Sequence, residues 1–170
     1  MLSIYVACLA AYNDGELHGR WLDLKDYDSQ EELVAAIEDM LAASPVPDAE
    51  EFAIHDYEST EFDTAVEIHE YAGTDYVWRL EMALRETSDP DAFAAFLSYH
   101  GNDLTYAMDY FEEAYHGLWS SIEDYALEFF EDVYGDVNFP GFRISVDTVA
   151  WESEHTVIDA RGGVYVFSCI

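Results

Sequence analysis

The hydrophobic pattern runs from a period of two to a helical period and back to two along the chain. Ser3–Leu9 (SIYVACL) alternates and is β-branched or aromatic, which predicts a strand. Asn13-Asp14-Gly15 is a turn signal, and Leu17–Leu24 (LHGRWLDL) returns as a second strand, predicting a hairpin. Ser29 and Glu32 have capping-box spacing ahead of Leu33, Ile37, Met40 and Leu41, which recur as one helical face. Ser44-Pro45-Val46-Pro47 stops that helix, and Glu51–Glu58 (EFAIHDYE) reads as a third strand. Residues 1–60 are therefore expected to form a small α+β subdomain.

Residues 61–133 read as a central helical subdomain. Tyr76, Val77, Leu80, Ala83 and Leu84 form one apolar stripe. Asp89-Pro90 is an N-cap followed by proline at the first helical position, leading to Phe93, Phe96 and Leu97; His100-Gly101-Asn102 ends that helix. A third stripe comprises Leu104, Ala107, Met108, Phe111, Ala114, Tyr115 and Leu118. Ser120 and Glu123 are spaced as a further capping box, and Trp119, Ile122, Tyr125, Ala126, Phe129, Phe130 and Val133 line the fourth helix. Residues 134–170 read as a C-terminal α+β subdomain. Tyr134–Gly141 is turn-rich, a short element lies around Val146–Trp151, and strands at His155–Asp159 and Val164–Cys169 join through Arg161-Gly162-Gly163. The fold class expected is α+β, elongated, with three small subdomains in series: a small sheet with a helix, a helical bundle, and a small sheet with short helices.

Charge changes this picture. The 170 residues hold 37 Asp and Glu against 6 Lys and Arg, a formal net charge of −31. Half the residues are hydrophobic and 16% are aromatic, so this is not the composition of a disordered acidic chain. The abundance of large aromatic side chains also argues against halophilic adaptation as the cause of the acidity. Such a potential repels nucleic acid and anionic membranes and attracts basic surfaces. No apolar run is long enough to span a membrane, and the N-terminal stretch lacks a basic signal-peptide region, so a cytoplasmic protein is expected. Cys8 and Cys169 fit no metal or redox spacing and read as reduced thiols.

The acids are segregated. Sixteen lie between Lys25 and Arg79, and thirteen between Arg85 and Arg143, with no basic residue in either interval. Asp124, Glu128 and Asp132 stand at i, i+4 and i+8, a column of like charges in which each pair costs roughly 0.2–0.5 kcal/mol in an isolated helix. The column sets one carboxylate every ~6 Å along the helix axis, within a factor of about two of the ~3.4 Å between phosphates on one DNA strand. The net charge equals that of roughly 15 base pairs of duplex. Glu112, Glu113, Glu123, Asp124, Glu128, Glu131 and Asp132 are the candidate phosphate-mimicking carboxylates, alongside the plainer reading of a solubilising acidic face.

Sites for catalysis are missing from the pattern. No dinucleotide, P-loop, nucleophile-elbow or zincin motif occurs; His69-Glu70 continues as Tyr71-Ala72-Gly73, without the second histidine. Asp26-Tyr27-Asp28 opens like a calcium loop, but Glu31 stands where that loop needs glycine. The six histidines are scattered, and His55 and Asp56, adjacent on a predicted strand, should face opposite sides. No catalytic residue, metal site or cofactor is expected, and an enzyme is not. Trp21, Tyr57, Trp78, Trp119 and Trp151 read as core or interface side chains.

Ala10–Leu24 (AAYNDGELHGRWLDL) and Phe52–Glu58 (FAIHDYE) together resemble the N-terminal signature of the ArdA-type antirestriction proteins. Tyr12, Asn13 and Gly15 match the family's tyrosine-asparagine-x-glycine turn. Gly19 and Trp21 match its glycine-x-tryptophan strand, and Asp56, Tyr57 and Glu58 its aspartate-tyrosine-glutamate. Asp147, Ala150 and Trp151 fit the family's aspartate and alanine-aromatic pair before the last strands. The likeness is good over about residues 3–60, fair over 134–168 and compositional between them. Trp151 stands where the family usually has tyrosine, and Ser153 and Glu154 occupy a stretch that usually carries a basic residue.

The resemblance implies an elongated, curved, three-domain protein, usually a homodimer, that mimics bent B-form DNA. It implies occupation of the DNA-binding groove of Type I restriction-modification enzymes, with the methyltransferase and specificity subunits as partners. It also implies an origin on plasmids, conjugative elements or phages, while the charge predicts no direct nucleic-acid binding. The competing function class is an acidic adaptor or chaperone for a basic nucleic-acid-binding protein; a third is a cation-binding or hydrolytic protein, which needs a convergent carboxylate cluster.

Overall fold

In a computed structural model describing residues 2–59, 66–135, 140–141 and 145–169, the first alternating segment forms strand β1 (Leu2–Cys8). Leu2, Ile4 and Val6 are buried on one face, with Ser3 and Tyr5 on the other. The expected hairpin follows, but its connection is more than a turn. Leu9–Asn13 winds into a short helix, α1, capped by Cys8, whose Sγ accepts the Ala11 N–H at 3.5 Å. Gly15, at φ +81°, then takes a left-handed conformation, and β2 (Gly19–Asp23) returns antiparallel to β1. A Cβ at Gly19 would collide with the Val6 carbonyl oxygen, so close strand approach dictates glycine there.

Helix α2 (Gln30–Ala42) starts where the capping box places it. Ser29 Oγ accepts the Glu32 N–H at 3.3 Å, and Glu32 reaches back to the Asp28 N–H at 2.9 Å. Its predicted stripe of Leu33, Ile37, Met40 and Leu41 is buried. His18 Nε2 donates to the Met40 carbonyl at 2.7 Å and the Arg20 guanidinium to that of Ala36, tying the helix to the β2 segment. Strand β3 (Phe52–Ser59) pairs antiparallel with β1 to complete a sheet of order β2-β1-β3.

Helix α3 (Thr74–Glu86) buries Val77, Leu80, Ala83 and Leu84 as its stripe predicts, and also Glu81. Asp89 Oδ1 accepts the Ala92 N–H at 3.0 Å at the start of α4 (Pro90–Tyr99), and Gly101 and Asn102 take positive φ after its end. Asp103 caps α5 (Leu104–Ala114).

The third predicted stripe overruns its helix. Tyr115–Trp119 is not helical; it is strand β4, which pairs with β6 (Gly163–Ser168), itself paired with β5 (His155–Ala160), giving a second sheet of order β4-β6-β5. Tyr115 and Leu118 fit a helical spacing. Gly117, at φ +107°, breaks helical continuity, and the aromatic-rich segment instead supplies partners to β6. The next helix cap moves accordingly. Ser121, not Ser120, caps α6 (Ile122–Tyr134), its Oγ accepting the Asp124 N–H at 3.1 Å. Helix α7 (Thr148–Glu154) leads into β5. Of the turn expected over Tyr134–Gly141, Gly135 and Gly141 have positive φ, and residues 136–139 lie outside the described residues, as does residue 61 at the expected start of the central subdomain.

The architecture is α+β, with helices between an N-terminal and a C-terminal three-stranded sheet. The chain divides into two compact units, Met1–Ala94 and Ala95–Ile170, with the boundary inside α4. In the first unit, the inward faces of β1, α2 and α3 form the core. In the second, Phe96 packs on Phe111 and Phe167, with ring centroids at 5.8 and 4.9 Å. Ile122 and Tyr125 of α6 pack on Val166. Cys8 is buried, Cys169 exposed, and both are free thiols.

Candidate functional site

All seven candidate carboxylates lie in the second unit on two helices, and all seven are exposed. Glu112 and Glu113 end α5, whose buried positions are Leu104, Ala107, Phe111 and Ala114. Glu123, Asp124, Glu128, Glu131 and Asp132 run the length of α6, whose buried positions are Ile122, Tyr125 and Ala126. The amphipathic spacing thus turns the apolar residues inward and leaves the acids in solvent. Glu123 and Asp124 occupy the first turn, where a helix N-terminus favours negative charge. Glu131 and Asp132 occupy the last turn, where the macrodipole opposes them, and that turn carries no basic residue. Stability alone does not select this arrangement.

Beyond Ala126, α6 departs from the expected core stripe. Phe129, Phe130 and Val133 are about half exposed, and Tyr134 more so. Beside them a cavity of about 190 Å³ is lined by Ala126, Leu127, Phe130, Ser145, Val146, Asp147 and Trp151. Two of the family-pattern positions, Asp147 and Trp151, are therefore at this apolar surface. Asp147 caps α7 by accepting the Ala150 N–H on Oδ1 at 3.2 Å, and Ala150 itself is exposed. Trp151 stacks on His155 at 5.1 Å and meets Tyr125 edge-on at 5.7 Å. The Trp151 carbonyl accepts from His155 Nδ1 at 3.1 Å. Tyr125 also stacks on His116, whose Nε2 bonds Ser168 Oγ at 2.7 Å. Burial in this aromatic cluster, then the nearby His155, pushes the His116 pKa down, and burial pushes that of Tyr125 up.

The N-terminal pattern positions converge on the first sheet. Tyr12 and Asn13 end α1 and are exposed, Gly15 follows in the turn, and Gly19 and Trp21 belong to β2. Asp56, Tyr57 and Glu58 lie on β3, with Asp56 and Glu58 exposed and Tyr57 half-buried. Of the five aromatic residues read as core or interface, none is fully buried: Trp21 is 44% exposed, and Tyr57, Trp78, Trp119 and Trp151 are half-buried.

The alternation argument that separated His55 from Asp56 fails at a β-bulge. Tyr5 pairs with Asp56 but Val6 pairs with Ile54, so His55 is an extra residue in the ladder. His55 and Asp56 line one cavity of about 450 Å³ with Tyr12, Ile54, Tyr57, Ile68 and Glu70. His55 Nε2 lies 3.9 Å from Glu70 Oε1, and Tyr12 meets the His55 ring edge-on at 4.8 Å.

Sequence reasoning missed one acid with a different role. Glu81 is fully buried, its Oε1 accepting from Arg85 Nε and its Oε2 from the Leu2 N–H, both at 2.8 Å. The i, i+4 spacing with Arg85 was the available signal. Among the described residues, no group of three or more His, Cys, Asp or Glu side chains is arranged to hold a metal ion, and no helix is long and apolar enough to cross a membrane.

No curated protein matches the chain in a sequence search. The family model described as "Antirestriction protein (ArdA)" matches residues 4–162, nearly the whole length and both compact units. With the N-terminal pattern on β2, β3 and the α1 turn and Asp147 capping α7 ahead of the last two strands, the chain belongs to the ArdA family of antirestriction proteins.

Proposed function

We propose that this protein inhibits Type I restriction-modification enzymes by occupying their DNA-binding groove as a mimic of duplex DNA. The observation that carries the reading is the set of exposed carboxylates along α5 and α6, in a stretch with no basic residue from Arg85 to Arg143. A groove that binds DNA neutralises phosphates with Lys and Arg and releases counterions, and carboxylates fixed on helices compete for the same cations. Being held in place before binding, they lose little conformational entropy on docking. The methyltransferase and specificity subunits, which form that groove, are the partners on this reading. The reading includes three subdomains, 1–60, 61–133 and 134–170, and action as a homodimer without catalysis. The exposed apolar surface of Phe129, Phe130 and Val133 supports self-association.

The test is competition. The purified protein is titrated into a Type I methyltransferase bound to labelled DNA, at about 50 and about 200 mM salt. Displacement near one inhibitor dimer per enzyme, weakening as salt rises, is expected. Failure to displace DNA from any of several Type I enzymes would overturn the reading in favour of an acidic adaptor for a basic protein.

A further inference from the structure

The open face of the first sheet combines aromatic and acidic side chains in a way that the acidic helices do not. Register places Trp21 opposite Tyr5 and Tyr5 opposite Asp56; two residues along, Asp23 lies opposite Ser3 and Ser3 opposite Glu58. These positions face away from the buried Ile4 and Leu22. At this face a cavity of about 410 Å³ is lined by Ser3, Trp21, Asp23, Asp26, Tyr27 and Glu58. The Trp21 ring is backed by Tyr5, with centroids at 5.6 Å. Asp26 and Glu58 are exposed, and burial is the main cause that raises the Tyr27 phenol pKa.

An aromatic face flanked by carboxylates complements a planar cation. A guanidinium stacks on indole and donates forked hydrogen bonds to carboxylates, whereas an ammonium is a compact, strongly hydrated point charge. The chain itself already brings a cation to this site. Lys25 Nζ lies 2.9 Å from Asp23 Oδ2, while Asp23 Oδ1 accepts from Ser3 Oγ at 2.8 Å. Those two hydrogen bonds, Lys25 first, hold the Asp23 carboxyl below its usual pKa. Asp26 and Glu58 are the carboxylates of the cavity outside that pair.

We propose that this cavity receives one arginine side chain of a partner protein, with the guanidinium stacked on Trp21 and its N–H groups donated to Asp26 and Glu58. The contact is directional and lies in the first compact unit. It is separate from the carboxylates of α5 and α6, and its test does not depend on the identity of the inhibited enzyme.

The experiment titrates the ¹⁵N-labelled full-length protein with N-acetyl-L-arginine amide and reads the Trp21 indole N–H, identified by its loss in Trp21→Phe. N-acetyl-L-citrulline amide, of similar shape without the charge, and N-acetyl-L-lysine amide are the controls. Expected are a saturating indole shift with the arginine compound and none with citrulline. Binding should weaken about tenfold in the double variant Asp26→Asn/Glu58→Gln, which removes the charge-assisted bonds, and tighten in Lys25→Met, which removes the competing cation. Both carboxylates are exposed, and an unchanged amide spectrum verifies that the variants remain folded. Shifts that stay linear and spread equally over α5 and α6, or an unchanged response in the double variant, would overturn the proposal. So would lysine binding as tightly as arginine.

Discussion

Glu81 and Arg85, one turn apart on α3, form an ion pair at 2.8 Å in which the carboxylate is fully buried and the guanidinium about one-third exposed. The second carboxylate oxygen accepts the Leu2 N–H, so one side chain fastens α3 to the first residue of β1. In so acidic a chain this is an acid spent on architecture rather than on surface charge. Glu81→Ala leaves the Leu2 N–H and Arg85 without this partner, and removing one member of a buried pair costs about 3 kcal/mol. Urea denaturation should show that loss, while a single exposed change such as Glu128→Gln should move the midpoint very little. Equal effects from the two would refute the distinction between structural and surface acids.

On α6, stability and inhibition should respond in opposite directions. Glu131 and Asp132 oppose the helix dipole in the last turn, and Glu128 stands three and four residues before them. Neutralising the pair as Glu131→Gln/Asp132→Asn relieves both repulsions and should raise stability by roughly 0.5–1 kcal/mol. Under the proposed function the same variant, extended with Glu128→Gln, inhibits restriction less, while each single change has little effect. Complete inactivity from one of these single changes, in a folded protein, would point to a specific site instead of a distributed charge array.

The start of α6 gives a sharper structural prediction. Ser120 and Ser121 are adjacent, yet only Ser121 Oγ accepts the Asp124 N–H. Loss of an N-cap hydroxyl typically costs about 1 kcal/mol. Ser121→Ala should therefore destabilise by that amount and Ser120→Ala by almost nothing, measured as urea midpoints side by side.

What the sequence made legible here was local. The Ser29 and Asp89 caps and the buried faces of α2 and α3 follow from spacing alone, because each is decided within one or two helical turns. The exposure of Glu112, Glu113, Glu123 and Asp124 follows too, since there the apolar stripe fixes which side turns outward; beyond Ala126 the predicted α6 stripe is itself exposed. Features decided by distant partners were not legible. Tyr115–Trp119 becomes a strand because β6, almost fifty residues later, offers it a ladder. The His55 bulge depends on register with β1, and strand alternation gives no warning of it. Glu81 is buried because the β1 backbone N–H meets it, which periodicity cannot show. The aromatic–carboxylate cavity on the first sheet likewise arises from three strands aligned side by side.

His116 supplies a pH dependence whose sign is fixed by its surroundings. The ring stacks on Tyr125 at 5.4 Å, bonds Ser168 Oγ and faces the His155 ring at 5.9 Å. Burial, then His155, lowers its pKa from the ordinary 6.5. The folded state therefore favours the neutral ring, and below the ordinary value the unfolded chain binds the proton more readily. Stability is complete above about pH 6.5 and declines as pH falls toward the lowered folded value. His100, lowered by burial, acts in the same direction. Thermal or urea unfolding compared at about pH 7.5 and about pH 5.5 should show the wild-type chain losing stability, and His116→Gln losing less of it. Identical pH slopes for the two proteins would show that the fold does not hold this imidazole neutral.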